Sequence, residues 1–419
     1  MVGESKLTLA RFVLFAAGYL FLFQSDSSPS GVKEGYVAVS MAFAVVGAFR
    51  LRKLEAQQIP RGIFISVGIM LLLLLVWSAR IAAGGVSVDD WIRDALNYIL
   101  FPVAVLIGAD AGTSLRRALI GRLILIVGVF GAFAFMSTWL ARRSGETLGF
   151  EQVGLASSFV PLTSIALCLA IFFAGERWRG AALLLGLGQM VLLAVSGGRT
   201  VWIYCVAALL AAFLAAGVPL SVRIGRAAVA LVATLFGVTV VFSLSTAIGG
   251  GIAVARITRF RSVADGGLQS LLADGSAIER IRAYQWTTAI WQEHPLVGRG
   301  LGYTFPSVTT GNFNVGIYTL DTPIVVLAKF GIVGTLLILA AIAVLWWTLR
   351  NGSKSDRTAR AVLITLSVVV LVLLPNGFPI ENRGFNLLVC LTVAYVLAAG
   401  RTLPFSPGAT HSNWKETVG

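Results

Sequence analysis

Arginine is the residue type around which chemistry could be built in this chain. Arg199 follows Ser196–Gly197–Gly198 in a connection of a few residues between two apolar stretches. A guanidinium at the edge of an apolar layer is costly without a partner or water, roughly 2.5–3.5 kcal/mol at a bilayer centre. The adjacent glycines leave backbone N–H groups free and let a ligand approach closely. Six more arginines, Arg256, Arg259, Arg261, Arg280, Arg282 and Arg299, share one segment, 249–321, with Asp265, Asp274, Glu279 and Glu293. Guanidinium forks grip phosphate oxygens bidentately and stay charged at any working pH, so this set would serve anion binding. The plainer readings are that Arg199 snorkels to lipid headgroups and that the others are ordinary surface charge.

A carboxylate near such a site would act as a general base. Asp321, in Leu320–Asp321–Thr322–Pro323, is the first candidate and Glu279 the second. Asp321 also fits a helix N-cap followed by an early Pro323, and capping does not exclude catalysis. Asp89–Asp90 reads as part of a capping box begun by Ser87 rather than as a metal site. Glu381 and Arg383 are close enough in sequence to pair with each other. His294, at a predicted helix end, and His411 are the only histidines, so no histidine metal site is expected. Cys168, Cys205 and Cys390 lie in apolar runs and read as small hydrophobes. Gly298-x-Gly300 lacks the strand and helix that would make it a nucleotide motif. Neither a metal nor a cofactor is expected.

The elements that must position these groups are apolar helices. Of 419 residues, 57% are hydrophobic and only 12% charged, against about 25% charged in soluble domains. Mean hydropathy is +0.86. This describes an all-α polytopic membrane protein and excludes disordered, collagen-like and disulfide-rich secreted chains. The net charge of +14 does not indicate a nucleic-acid partner, because the basic residues punctuate apolar runs and form no basic face. Stretches able to cross about 30 Å of hydrocarbon fall near 10–23, 36–50, 62–80, 92–109, 119–140, 153–174, 181–196, 200–217, 227–248, 322–349, 360–375 and 384–400. The first, with Lys6 and Arg11 ahead of it, resembles a signal-peptide core but reads as an uncleaved helix.

Lys and Arg bias places both termini in the cytoplasm, with Arg50, Arg52, Lys53, Arg61, Arg116, Arg117 and Arg350 among the inner charges. Trp77, Trp91, Trp139 and Trp202 then mark the outer interface, and Trp178, Trp346 and Trp347 the inner one. Few charged or polar groups are visible inside the spans: Asn97 in the fourth, and Lys329 in the tenth, which is long enough to snorkel outward. The chain divides into helices one to nine (1–248), a long outer loop (249–321), helices ten to twelve (322–400) and a cytoplasmic tail (401–419). A loop this long is functional or disordered, and Tyr284, Trp286, Trp291, Phe305 and Phe313 argue against disorder. Ile278, Ile281, Tyr284 and Thr288 recur at helical spacing. The spacing predicts a helix against the outer face that stops at Pro295 and is followed by a glycine-rich turn.

Three stretches together resemble the O-antigen ligase and polymerase superfamily. They are Ser196–Gly197–Gly198–Arg199–Thr200, the arginine-led run from Glu279 to His294–Pro295–Leu296–Val297–Gly298–Arg299–Gly300, and Leu327–Ala328–Lys329–Phe330–Gly331–Ile332–Val333–Gly334. The resemblance implies a GT-C-like enzyme of the bacterial inner membrane with about twelve transmembrane helices and a helix-containing periplasmic loop. It implies an undecaprenyl-pyrophosphate-linked oligosaccharide as donor and a lipid-linked repeat unit or lipid A-core as acceptor. Arg199 and Arg280 would then hold the pyrophosphate, with Arg282 helping and Arg256, Arg259 and Arg261 forming a looser rim. Ligases of that family carry His-Asn where this chain has Leu320–Asp321, which favours the polymerase branch. A transporter or flippase of lipid-linked glycan is the competing class, and it would require intramembrane charges along a path.

Overall fold

In the computed structural model, residues 2–23, 31–54, 60–79, 86–144, 159–176, 178–195, 199–249, 275–309, 312–317, 322–381 and 384–401 are described. Every apolar stretch found in the sequence carries a helix. These are α1 (Val2–Gly18, continuing as a π-helical turn, Tyr19–Phe23), α2 (Val32–Lys53), α3 (Arg61–Ser78), α4 (Val88–Ser114) and α5 (Arg117–Ser144). Then come α6 (Phe159–Ala174), α7 (Arg179–Val195), α8 (Arg199–Ala215) and α9 (Leu220–Gly249). The long segment supplies α10 (Gly275–Glu293) and an antiparallel hairpin, β1 (Phe305–Thr309) with β2 (Asn312–Ile317). The chain closes with α11 (Ile324–Gly352), α12 (Arg357–Leu373) and α13 (Phe385–Gly400). Among the described residues, Val32–Lys53, Val88–Ser114, Arg117–Ala134, Leu220–Gly237 and Ile324–Gly352 are helices long and apolar enough to cross a membrane. Leu75, Leu214, Phe236 and Val232 are exposed on helix surfaces. An apolar surface of that kind suits lipid and not water.

The bundle is organised around α4, which is buried along nearly its whole length. Its start is capped as the sequence predicts, Ser87 Oγ accepting the Asp90 N–H at 3.1 Å. Its tightest neighbour is α13, running parallel to it. Gly108 and Gly112 allow this: a Cβ on either would sit 2.5 Å or 2.7 Å from the Cys390 or Ala394 carbonyl oxygen. Small residues spaced by four are the usual device for close helix approach in lipid, where no water drives association. On another side α3 runs antiparallel to α11, with Ser66 Oγ donating to the Ala341 carbonyl at 2.8 Å.

One interaction ties the long segment to the bundle. α11 is broken at Gly331 (φ 63°, ψ −169°), a conformation essentially confined to glycine. The break frees the Ala328 and Lys329 carbonyls and the Ile332 and Val333 N–H groups. Residues 295–300 take all of them. The Arg299 and Gly300 N–H groups donate to the Ala328 and Lys329 carbonyls, both at 2.8 Å. The Ile332 and Val333 N–H groups donate to the Pro295 and Leu296 carbonyls at 2.9 and 3.1 Å. Backbone groups freed inside a helix are satisfied here by protein. Contact is so close that a Cβ on Gly331 would lie 2.3 Å from the Leu296 carbonyl carbon, and one on Gly298 2.4 Å from that of Lys329. The end of the bundle carrying this turn is called the loop end below.

Gly331→Ala should therefore unseat the turn. Backbone strain alone costs about 1–3 kcal/mol, and the clash adds to it. Gly180→Ala, at a helical position where a Cβ meets nothing within 4 Å, should stay within about 1 kcal/mol of the parent. Thermal unfolding in detergent compares the two; equal midpoints would refute the role given to the turn.

Candidate functional site

Of the site residues expected from the sequence, Arg280 and Arg282 are described, on α10 at the loop end. α10 places Arg280 half-buried and Arg282 exposed, and neither forms an ion pair with the described residues. One turn beyond Arg280, the Tyr284 hydroxyl donates to the Pro375 carbonyl at 3.0 Å, just past the end of α12. α8, which Arg199 opens, packs antiparallel along α12: Gly217, after α8, lies beside Arg357 and Arg360 at the start of α12. Arg199 and Arg280 are thus carried by helices that both meet the loop end of α12. The side chains of Arg199 and Glu279 lie outside the described residues, as do Arg256, Arg259, Arg261 and Asp321 in full. α11 begins at Ile324 with Pro323 in the N-cap position, and Thr322 Oγ1 accepts the Ile324 N–H at 3.2 Å. The cap expected at Asp321 falls two residues later. Arg299 pairs with Glu293 and stacks over the Tyr303 ring.

α10 packs through small residues, with Tyr284 and Thr288 half-buried beside them. Ala283 and Thr287 are buried, whereas Ile281 is 40% exposed. Small side chains let the helix lie close against α11 and β1.

Beneath the turn lies a charged cluster that sequence reasoning missed. Lys329 Nζ is 0% exposed; it donates to Asp94 Oδ1 at 2.5 Å and to Glu381 Oε1 at 2.8 Å. Asp94 Oδ2 accepts the Gly302 N–H at 2.8 Å, and the Tyr98 hydroxyl donates to Glu381 Oε1. Glu381 Oε2 is buried without a hydrogen-bond partner among the described residues. Phe330 packs on Tyr98 and Trp77, and the Trp77 indole N–H donates to the Val297 carbonyl at 3.1 Å. Two expectations are corrected here. Lys329 does not snorkel outward, because two carboxylates hold it inward. Glu381 pairs with Lys329 and Tyr98; Arg383, the partner the sequence offered it, lies outside the described residues. Trp77 is a buried prop for the turn and not an interface anchor. The available signal was Asp94, an acid inside an apolar run, which in a membrane helix is functional or paired by default.

At the opposite end of α4, sixteen residues or about 24 Å away, Asp110 pairs with Arg11 at 2.9 Å and with Arg50 at 2.8 Å. Arg117 pairs with Asp356 and Glu176 and donates to the Tyr395 hydroxyl. Between Tyr98 and Asp110, α4 carries only apolar residues.

Compared with known proteins, the chain matches no family model and no curated protein.

The cluster is expected to be held as a unit. Lys329→Met strands two buried carboxylates and should cost about 3–5 kcal/mol. Adding Asp94→Asn and Glu381→Gln should restore much of it, because neutral groups are cheaper to bury unpaired. Denaturant unfolding of the single and triple variants in detergent tests this. A triple variant no more stable than Lys329→Met would refute it.

Proposed function

We propose that this chain is a bacterial inner-membrane glycosyltransferase. It takes a glycan from undecaprenyl pyrophosphate at the periplasmic face and joins it to a second lipid-linked repeat unit. In this reading the twelve apolar helices span the bilayer in a GT-C-like arrangement. Both termini are cytoplasmic, and the loop end is periplasmic.

One observation carries the reading. The two motif stretches that flank the long segment's end, His294–Gly300 and Leu327–Gly334, interlock through four backbone hydrogen bonds. That interlock holds the arginine-bearing α10 against the bundle. A transporter is less well supported, because α4 offers no polar residue between its two charged ends and a charged path is what transport would need.

The chemistry follows from charge. An acceptor hydroxyl attacks the anomeric carbon, the bond from that carbon to the pyrophosphate oxygen breaks, and the lipid diphosphate leaves with the extra negative charge. Fixed guanidinium groups in a partly dry site stabilise that charge better than water would. Arg199 and Arg280 take this role, Arg282 assists, and Arg256, Arg259 and Arg261 raise the local anion concentration. A carboxylate accepts the hydroxyl proton, Asp321 in first place and Glu279 in second.

Purified protein should lengthen lipid-linked oligosaccharide in detergent without metal or nucleotide. Arg280→Ala and Arg199→Ala should each lower that activity about 100-fold or more. Arg199→Lys should recover only part, since an ammonium cannot form the planar fork. Normal-length polymer from Arg199→Ala would refute the site, and transfer only to lipid A-core would make the protein a ligase.

A further inference from the structure

The end of the bundle away from the turn holds a site that the proposed chemistry does not use. α2 finishes in Arg50–Leu51–Arg52–Lys53. Arg50 faces inward and is spent on Asp110. Arg52 points elsewhere: it lines one end of an apolar groove of about 450 Å³ between α2, α3 and α4. Among the described residues it is the only charged one in that lining. The groove exists because small residues face it. Ala44 and Ala48 line it from α2, and Gly68 lines it from α3, where a Cβ would meet nothing within 4 Å.

Its length is informative. On α2 the lining runs from Arg52 to Met41, eleven residues or about 16 Å. That is about half of the 30 Å hydrocarbon thickness, the depth of one leaflet. Lys53 and Arg61, the latter opening α3, are exposed at the same end. Arg52, Lys53 and Arg61 form no ion pair among the described residues. The only acid in 50–61 is Glu55, which lies outside those residues.

We propose that this groove is a binding site for an anionic glycerophospholipid of the adjoining leaflet, one acyl chain lying along Gly68 and Ala48 and the phosphodiester held by Arg52. Lys53 and Arg61 add attraction for a net negative headgroup, which a zwitterionic lipid lacks. The site stands apart from the proposed glycosyl transfer, so either can fail without the other.

Full-length protein, purified and delipidated in detergent, is mixed with equal amounts of phosphatidylglycerol and phosphatidylcholine of the same chains, and native mass spectrometry reads what stays bound. Phosphatidylglycerol should be retained in preference. Arg52→Ala should reduce that preference about fivefold, the value of one basic residue near an anionic headgroup. Gly68→Phe should fill the groove and abolish retention of the lipid. Gly180→Phe, at an open position on α7, should leave retention unchanged. Equal retention of the two lipids, or full retention by Gly68→Phe, would overturn the proposal. So would a dimer lost on Gly68→Phe with no lipid bound, since a second copy would then fill the groove. If Gly68→Phe does not fold, Arg52→Ala at its exposed position decides alone.

Discussion

A helix that breaks inside an apolar bundle must find partners for every backbone group it frees, and α11 breaks at Gly331. Two carbonyls and two N–H groups lose their helical partners there. Each would cost about 1–3 kcal/mol if left unsatisfied in a dry interior. Another stretch of backbone supplies two donors and two acceptors in matching order. The turn after α10 does so with Pro295, Leu296, Arg299 and Gly300. Glycines stand on both sides of the junction because the two backbones nearly touch. The position of α10 follows from this docking: its C-terminal end is fixed by the turn, and Tyr284 reaches Pro375.

The same junction explains why charges are buried beneath it. Gly302 presents its N–H to Asp94, Asp94 takes Lys329, and Lys329 takes Glu381. The cluster thereby links α4, α11, the turn and the segment before α13. One ammonium faces two carboxylates, and the Tyr98 hydroxyl supplies a further donor. A buried ion pair is weak evidence for stability, because desolvation offsets attraction. Removing one member is a different matter, since the stranded charge has no solvent. The cluster therefore acts chiefly as a constraint on how these four elements meet.

α4 separates two polar ends with an apolar middle. Its loop-end acid supports the turn, and its other acid gathers Arg11 and Arg50. Basic residues that punctuate the apolar runs also have individual structural duties: Arg50 and Arg117 hold the bundle together, whereas Arg52 remains open toward an apolar groove. This division cannot be read from a count of Lys and Arg, because residues two apart on one helix face different surroundings.

Hydropathy and punctuation placed the helices, because an apolar run of sufficient length has one stable backbone solution in a water-poor layer. The cap at Ser87, the helix carrying Arg280 and the glycine turn after Pro295 were legible for the same local reason: their signals lie within a few residues of the feature. What Lys329, Glu381 and Trp77 do was not legible. Their partners lie 235, 52 and 220 residues away, and a side chain's direction at a helix end depends on what packs there. The packing of α10 through Ala283 and Thr287 likewise depends on distant partners. Local composition determined where the helices are; only the tertiary structure decided which charges are buried together, because burial removes water and leaves each polar group to whatever distant residue the packing brings within reach.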